Sequence, residues 1–404
     1  MNDTEQSCSA RILVIGVGGG GNNAVNNMID AGITSCDYIA ANTDKQALFT
    51  SRAERRLQLG RQLTKGLGAG SDPEIGEKAA VESEAEIAAC LDGVDLLFIA
   101  AGMGGGTGTG AAPVIAQIAK QKDILTIAVV TRPFDFEGKK RKSNADMGIE
   151  KLRKFVDTLL VIPNQKLLTQ HQTRYQYGDG AKKQLSIKEA FKIADDVLRQ
   201  GIQGITDLIV KPALINLDFA DVRTVIKNKG IAHMGIGIGK GERRHIDAAS
   251  QAVSSALLET RIEGATALIL NFTGGEDTTI DEIGEACNLI RDVVDEDANI
   301  IFGLAIEPGV RDEIRLTVIA TGFVSKDILL LNRNPRYASS VPSLYGQDLL
   351  NPPMPPREQQ AEPKPHQASA AAPAPVEKSV VSSSRIDVDE DASIPPFLKK
   401  LKKK

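Results

Sequence analysis

The sequence predicts an α/β protein: a parallel sheet flanked by helices, then a long helix, then a second α/β unit with a mixed sheet. Three observations carry this expectation. From Arg11 onward, short apolar runs alternate with stretches of helical periodicity, the pattern of strands whose crossover helices cover the sheet. Two strand-to-helix junctions, "GVGGGGNN" and "AGMGGGTGTG", are runs of glycine, which suggests that something comes very close to the main chain there. Late in the pattern "NIIFGLAI" is followed by "EIRLTVIATGF" with no helical stretch between them, and two such strands in succession require a mixed sheet.

Taken in order, "RILVIGVG", "DYIAANT", "VDLLFIAAG", "ILTIAVVT" and "TLLVIPN" read as buried strands. Asp72-Pro73 opens a helix as N-cap and first helical residue, and Gly93 stands where its stop is expected. The long helix "SIKEAFKIADDVLRQGIQGITDLIVKP" begins at a Ser186/Glu189 capping box and ends at Lys211-Pro212. After "ALINLDFADVRTVIKNKG" come a strand "IAHMGIGIG", a helix from about His245 to Glu259, a strand "TALILNF" and a helix opened by a Thr279/Glu282 box. Beyond Asn332 lie two-thirds of the 18 prolines, among Ala, Ser, Gln and Glu, so a disordered linker is expected there. The expected organisation is a disordered start (1–10), a first α/β domain (11–185), a central helix (186–212), a second domain (213–330), the linker (331–385) and a terminal interaction peptide with a basic end (386–404).

A net charge of -4 gives no global basic field, which argues against a nucleic-acid partner. The opening "MNDTEQSCSA" is polar, and no apolar stretch reaches the roughly 20 residues that span a bilayer. A cytoplasmic protein with at most peripheral membrane contact, and no direct insertion, is expected. Cys8, Cys36, Cys90 and Cys287 form no CxxC pair, and His171, His233, His245 and His366 do not cluster, so neither a disulfide framework nor a histidine metal site is suggested.

The first glycine run fits G-x-G-x-x-G at Gly16, Gly18 and Gly21. A dinucleotide site also needs an acid about 20 residues on, at the end of the second strand. That strand ends in Asn42-Thr43-Asp44, so the acid falls late. The second run lacks the Lys-Ser/Thr that closes a P-loop. Such a loop neutralises phosphate with backbone N–H groups and the dipole of the following helix, with Thr107 and Thr109 as added hydroxyl donors. Two helix N-termini converging on one polyphosphate is the reading that uses both runs.

"GVGGGGNNAVN", "NTDKQAL", "LTKGLGAGSDPEIG", "GGGTGTG", "RPFDFEGKKR", "NLDFADVRTV" and the terminal "IPPFLKK" occur in this order. Together they closely resemble the FtsZ family, the bacterial tubulin-like cell-division GTPases, over nearly all of 11–323 and the terminal peptide. The resemblance implies a tubulin/FtsZ-like fold with a Rossmann-type GTP-binding domain. It implies GTP or GDP as ligand, Mg2+ held through the nucleotide and by Asp218, and head-to-tail self-assembly into filaments of the cytokinetic ring at mid-cell. Gly19, Gly20, Gly21 and Asn22 then line the α- and β-phosphates. Gly104, Gly105, Gly106, Thr107, Gly108, Thr109 and Gly110 form the signature loop, and Ala69, Gly70 and Ser71 face the γ-phosphate. Gly102, Pro133, Asn42 and Asp44 join the GTP-binding set, Glu137 and Arg141 contact sugar and phosphates, and Asn164, Phe191 and Asp195 recognise the base. Asp218 and Asp221, with Asn216, complete the nucleotide site of the next subunit and orient the attacking water. Ile394, Pro395, Pro396, Phe397 and Leu398 dock to membrane tethers such as FtsA.

Other readings stay open at the level of sequence. Asp44 suits turn chemistry, Glu137 and Arg141 suit an i,i+4 ion pair, Phe191 suits a core position, and the aspartates of "NLDFAD" suit helix caps. The alternatives in function are another tubulin-like filament GTPase, as in plasmid partition, and more distantly an NAD-dependent oxidoreductase. Two departures from the family pattern stand out: Gln165 where aspartate is usual, and the long connection "TQHQTRYQYGDGAKKQ" over 169–184, which either shields the base pocket or is a surface insertion.

Overall fold

The computed structural model describes residues 10–168, 186–210, 218–254, 262, 264–294, 297–307 and 309–323. The insertion at 169–184, Asn216, the Lys211-Pro212 helix stop, the linker and the terminal peptide with Ile394, Pro395, Pro396, Phe397 and Leu398 lie outside these residues.

Strand β1 (Ile12–Val17) is buried along its whole length. It pairs in parallel with β2 (Asp37–Asn42) on one side and β4 (Leu96–Gly102) on the other. Its continuous apolar run follows from that position, since a central parallel strand is covered on both faces. Alternate residues divide between two cores. Ile12 and Val14 join Met28 of α1 (Gly18–Asp30) and Leu198 and Ile202 of the long helix α8 (Ile187–Val210). Leu13, Ile15 and Val17 join Ala79 of α4 (Pro73–Glu82), Ile115 of α6 (Thr107–Gln121) and Leu152 of α7 (Lys139–Arg153). The two-residue period of the strand thus places one helical layer on each face.

The strands form one ten-stranded sheet in the order β3-β2-β1-β4-β5-β6-β7-β10-β8-β9. Here β3 is Arg55–Gln58, β5 Leu125–Arg132, β6 Thr158–Pro163, β7 Gly230–Lys240, β8 Ala267–Gly274, β9 Asn299–Ile306 and β10 Glu313–Thr321. Strands β1 to β6 are parallel, and β10 runs antiparallel to both β7 and β8, so the second half is mixed as expected. The halves join where Thr158, Leu159 and Leu160 of β6 pair with Gly230, Ile231 and Ala232 of β7. A third core lies under the mixed half, where Ala248 of α10 (Arg244–Val253) and Ile290 of α11 (Ile280–Arg291) meet Phe272 and Leu316.

Several elements differ from the sequence expectation. The helix opened by Asp72-Pro73 breaks at Ser83 into α4 and α5 (Glu84–Cys90). Ser83 Oγ accepts from Gly60 N (3.0 Å), and the Glu82 carboxylate takes the N–H groups of Gln62 and Leu63 (2.8 and 3.0 Å) at the start of α3 (Arg61–Thr64). Those long-range bonds compensate for the interrupted helix. Edge strand β3 has no counterpart among the strands read from the sequence, and α10 is described to Val253, the expected end near Glu259 lying outside the described residues. Both capping boxes form: Ser186 Oγ accepts from Glu189 N at 3.2 Å, and Thr279 Oγ1 from Glu282 N at 3.3 Å.

Glu282 has a second role that ties α10 to α11. Arg244, 6% exposed, donates from Nε to Glu282 Oε1 (2.7 Å) and from Nη2 to Glu282 Oε2 (3.0 Å), and also binds the Asp277 carboxylate. The guanidinium holds the Glu282 carboxyl down at about 2. A carboxyl whose folded pKa lies below its unfolded value stabilises the fold above the unfolded pKa, and that contribution is lost as pH falls through the folded one. Arg244→Met should lower the unfolding free energy by about 3 kcal/mol at neutral pH. In urea titrations across pH, its difference from the wild-type chain should narrow between about 4.5 and 2.

Candidate functional site

At the carboxyl end of β1 the chain turns directly into α1, and at that of β4 it enters α6 after the short loop 103–106. Both helices begin without a side-chain cap, so their first-turn N–H groups have no partner from a cap and carry the positive end of the dipole. Helix α4 starts beside them, capped by Asp72, whose Oδ1 accepts from Glu74 N at 2.9 Å.

Close main-chain contacts hold the three starts together. A Cβ on Gly21 would lie 2.2 Å from Ala100 O, one on Gly76 2.3 Å from Gly106 O, and one on Gly110 2.0 Å from Pro73 O. A Cβ on Gly18, at φ +71°, would lie 2.9 Å from Gly108 N, and one on Gly20 3.3 Å from the Gly102 backbone. Most glycines of the two runs therefore face protein backbone. Gly19 and Gly70 have nothing within 4 Å on that side, and Gly105 meets only Arg141 Nη2 at 3.8 Å. These three mark the open face of the loops.

Polar side chains brace the loops from within. Asn22 is 3% exposed, and its amide, oriented by the surrounding network, donates to the carbonyls of Gly16 (2.8 Å) and Gly18 (3.1 Å) and accepts from Asn42 (3.1 Å). Thr107 Oγ1 bonds Thr43 Oγ1 at 2.7 Å, and Thr109 Oγ1 accepts from Gly104 N at 2.8 Å. Asp44 caps α2 (Lys45–Phe49), accepting from Gln46 N at 2.8 Å, the turn chemistry its position allowed. Ala69 packs on Gly106, while Gly70 and Ser71 take left-handed backbone at φ +58° and +63°.

Beyond β5, Pro133 is half-buried and leads into the short helix Asp135–Glu137. Glu137 accepts from Phe134 N (2.9 Å) and pairs with Arg141 Nη1 (2.7 Å), the i,i+4 ion pair the spacing allowed. Arg141 O lies 2.8 Å from a Cβ built on Gly104, so the start of α7 abuts the glycine loop. Gln165 accepts from Asp135 N at 3.2 Å. Phe191 is not a core residue: it is 39% exposed and meets Phe134 edge-on at 5.2 Å, with the exposed Phe136 at 6.3 Å. Asp195 follows one turn along α8, and burial pushes its carboxyl up to about 7. Asn164 Oδ1 is buried with no hydrogen-bond partner among the described residues. Phe191 and Asp195, one turn apart on α8, join an exposed ring to a desolvated carboxyl, and Asn164 adds an unsatisfied acceptor just after β6; perturbed groups of this kind mark functional sites.

Asp218 and Asp221 lie elsewhere. Asp218 is the N-cap of α9 (Phe219–Ile226), its Oδ1 accepting from Asp221 N at 2.7 Å, and both residues are exposed. The far end of α9 docks at the start of β6, where Thr158 Oγ1 donates to Ile226 O at 2.7 Å. This is the amino-terminal edge of the parallel strands, opposite the glycine loops. The 24 residues of α8, which runs between the two ends, span about 36 Å. One subunit therefore does not bring these aspartates to its own loops.

Sequence reasoning missed Gly76, Gly148 and Thr43 as parts of this architecture. A Cβ on Gly148 would sit 2.4 Å from Thr109 Cγ2, so α7 can approach α6 only at a glycine. The available signal was an isolated glycine inside the helical patterns "PEIGEKAA" and "ADMGIEK", where glycine costs about 1 kcal/mol against alanine and calls for a packing reason. Thr43 carried no signal apart from its place between Asn42 and Asp44.

Comparison with known proteins adds the family. Residues 11–172 match the family model of the Tubulin/FtsZ family, GTPase domain, and residues 230–324 that of the FtsZ family, C-terminal domain. An empty FtsZ dimer from M. jannaschii is 42% identical, covering 80% of this chain and 90% of its own at a TM-score of 0.74. CetZ2 from Haloferax volcanii, as a GTPγS-bound protofilament, is 19% identical and covers 81% and 98% at a TM-score of 0.64, a likeness of fold. With both of its domain types matched in order and the FtsZ likeness spanning most of the described fold, the chain belongs to the FtsZ family of tubulin-like GTPases.

Proposed function

We propose that this GTPase assembles head to tail and hydrolyses GTP between subunits, Asp218 and Asp221 of one completing the glycine cleft of the next. The observation that carries the reading is the separation of the two half-sites along α8. The same patch cannot meet itself in such a contact, so the interface is heterologous and propagates as a filament. The FtsZ relative is a dimer, and the CetZ2 relative a protofilament.

In this reading the polyphosphate lies over Gly19, Gly70 and Gly105, with the uncapped starts of α1 and α6 opposing its charge through N–H groups. Gly20, Gly21, Asn22, Gly102, Gly104, Gly106, Thr107, Gly108, Thr109, Gly110 and Asn42 hold those N–H groups in place, and Ala69 and Ser71 flank the γ-phosphate. Glu137 and Arg141 meet sugar and phosphate, Arg141 keeping its charge beside the anion. Phe191 covers the purine, and Asp195 and Asn164 read its edge. Mg2+ would be held by the phosphates, by waters and by one carboxylate, that of Asp218. When bound, Mg2+ would offset phosphate charge. Asp218 and Asp221 orient water, and positioning rather than strong base catalysis is what phosphoryl transfer requires.

We further propose the cytoplasmic face of the division site as its location, and capture of the terminal "IPPFLKK" peptide by a membrane tether such as FtsA. No described helix is long and apolar enough to cross a membrane, and the peptide offers apolar anchors on a proline-stiffened backbone.

Turnover per subunit should rise with protein concentration above a threshold in a phosphate-release assay; constant specific activity from the lowest concentration would contradict a shared site. Asp218→Ala should sediment with GTP and Mg2+ while turning over at least tenfold more slowly, a loss on the order of 1.4 kcal/mol or more in the barrier. A third expectation concerns the base. Guanine N1–H and N2–H2 require the Asp195 carboxylate, so GTP affinity should fall by ~tenfold per pH unit below about 7, and Asp195→Asn should remove that component. Because the folded pKa lies above the ordinary 3.8, the carboxyl disfavours folding increasingly as pH rises from 3.8 to about 7. Asp195→Asn should therefore raise the melting temperature at pH 8 more than at pH 4, and an equal shift at both would contradict the buried carboxyl.

A further inference from the structure

We infer that Asp123 is a positioning residue for hydrolysis, holding α9 so that Asp218 and Asp221 stand in one fixed orientation at the subunit's edge. The inference rests on the reading of those aspartates as the groups that complete a neighbour's site.

Asp123 sits in the turn between α6 and β5 with left-handed backbone, φ +52°. Glycine meets no Cβ penalty in that region, and aspartate is tolerated there at some cost. Its carboxylate reaches two cations on α9 and just beyond it: Oδ2 lies 3.7 Å from Arg223 Nη2, and Oδ1 3.5 Å from Lys227 Nζ. Arg223 and Lys227 are four residues apart and so share a side of the helix.

The carboxyl end of α9 is pinned separately. Val225 O accepts from Thr321 Oγ1 (2.9 Å) and Ile226 O from Thr158 Oγ1 (2.7 Å), so hydroxyls from both halves of the sheet satisfy carbonyls at the helix end. Asp157 holds the turn that follows, its Oδ1 accepting from Asn228 N (3.2 Å) and its carbonyl from Gly230 N (2.9 Å). Those bonds gather at one end of the helix and fix its foot. Val222, Val225 and Ile226 set the inward face of the helix in the core, and the Asp123 pairs add a restraint on its outward side. Asp218 and Asp221 are bonded to each other at the opposite end, so both turn with the helix. Asp123 is 83% exposed, and an exposed ion pair contributes little to stability. A displacement of about 1 Å at a reacting group, however, can cost about 100-fold in rate, so the pair acts on turnover.

The test uses the full-length chain. Asp123→Gly removes the carboxylate at a backbone angle glycine prefers, and Asp123→Asn keeps the local preference, so both variants should fold with the wild-type melting temperature. GTP affinity below the assembly threshold and the fraction sedimented with GTP and Mg2+ should be unchanged, while turnover per sedimented subunit falls about 3- to 10-fold. Asp123→Lys should lose more, and pairing it with Arg223→Glu and Lys227→Glu should restore turnover to within about twofold of wild type, since a charge swap rebuilds the contact. Wild-type turnover in Asp123→Gly, failure of the swap, or a loss of GTP affinity or sedimentation as large as the loss of turnover would each overturn the inference. Asp218→Ala run in parallel separates the two levels. Wild-type turnover there removes the underlying reading, whereas a slow Asp218→Ala beside a normal Asp123→Gly removes only the role of Asp123.

Discussion

Gly21 cannot carry a methyl group, because its β-carbon would stand 2.2 Å from the carbonyl oxygen of Ala100, and the same holds for Gly76 against Gly106 and Gly110 against Pro73. Backbone packed on backbone brings the starts of α1, α4 and α6 together at one end of the sheet. Side chains of ordinary size would hold these helices apart, and their N–H groups would point at separate places. The run of glycines does two jobs: most positions permit contact between loops, and Gly19, Gly70 and Gly105 leave one face open. With α1 and α6 uncapped, the open face is rich in donors without the lysine of a P-loop.

The same arrangement accounts for the proposed need for a second subunit in the chemistry. Parallel strands place the turns into helices at one edge of the sheet, and α8 carries the chain across to the other before α9 begins. Asp218 and Asp221 are fixed there as a helix cap. Capping and the proposed catalytic role do not compete, because the bond from Asp221 N to Asp218 Oδ1 is what gives the pair a defined geometry. On the proposed reading, a filament links turnover to assembly without any conformational signal, since an isolated subunit would lack half of the reacting groups.

Much of the fold was legible because its signals are local. Strand polarity, the two capping boxes, the Asp72-Pro73 start and the mixed second half follow from residues within a few positions of one another. The features that escaped are set by distant partners. Ser83 breaks a helix because its hydroxyl meets Gly60 N, and β3 exists because β2 offers an edge to a segment that begins with two arginines. Site residues show the same division. Glycine runs announce the loops, but that Asn22, Thr107 and Thr109 turn inward as braces depends on the fold. The raised carboxyl of Asp195 depends on burial that no spacing reveals.

The central claim is that each working site is built from two chains. Complementation between two silent variants measures this directly. Gly19→Glu sets a carboxylate at the open face of the loops and should block nucleotide there while leaving Asp218 intact. Asp218→Ala does the reverse. Each variant alone should release phosphate slowly, and an equimolar mixture with GTP and Mg2+ should recover a substantial part of wild-type turnover. A mixture as inactive as its parts, under conditions where the two variants sediment together, would contradict the shared site.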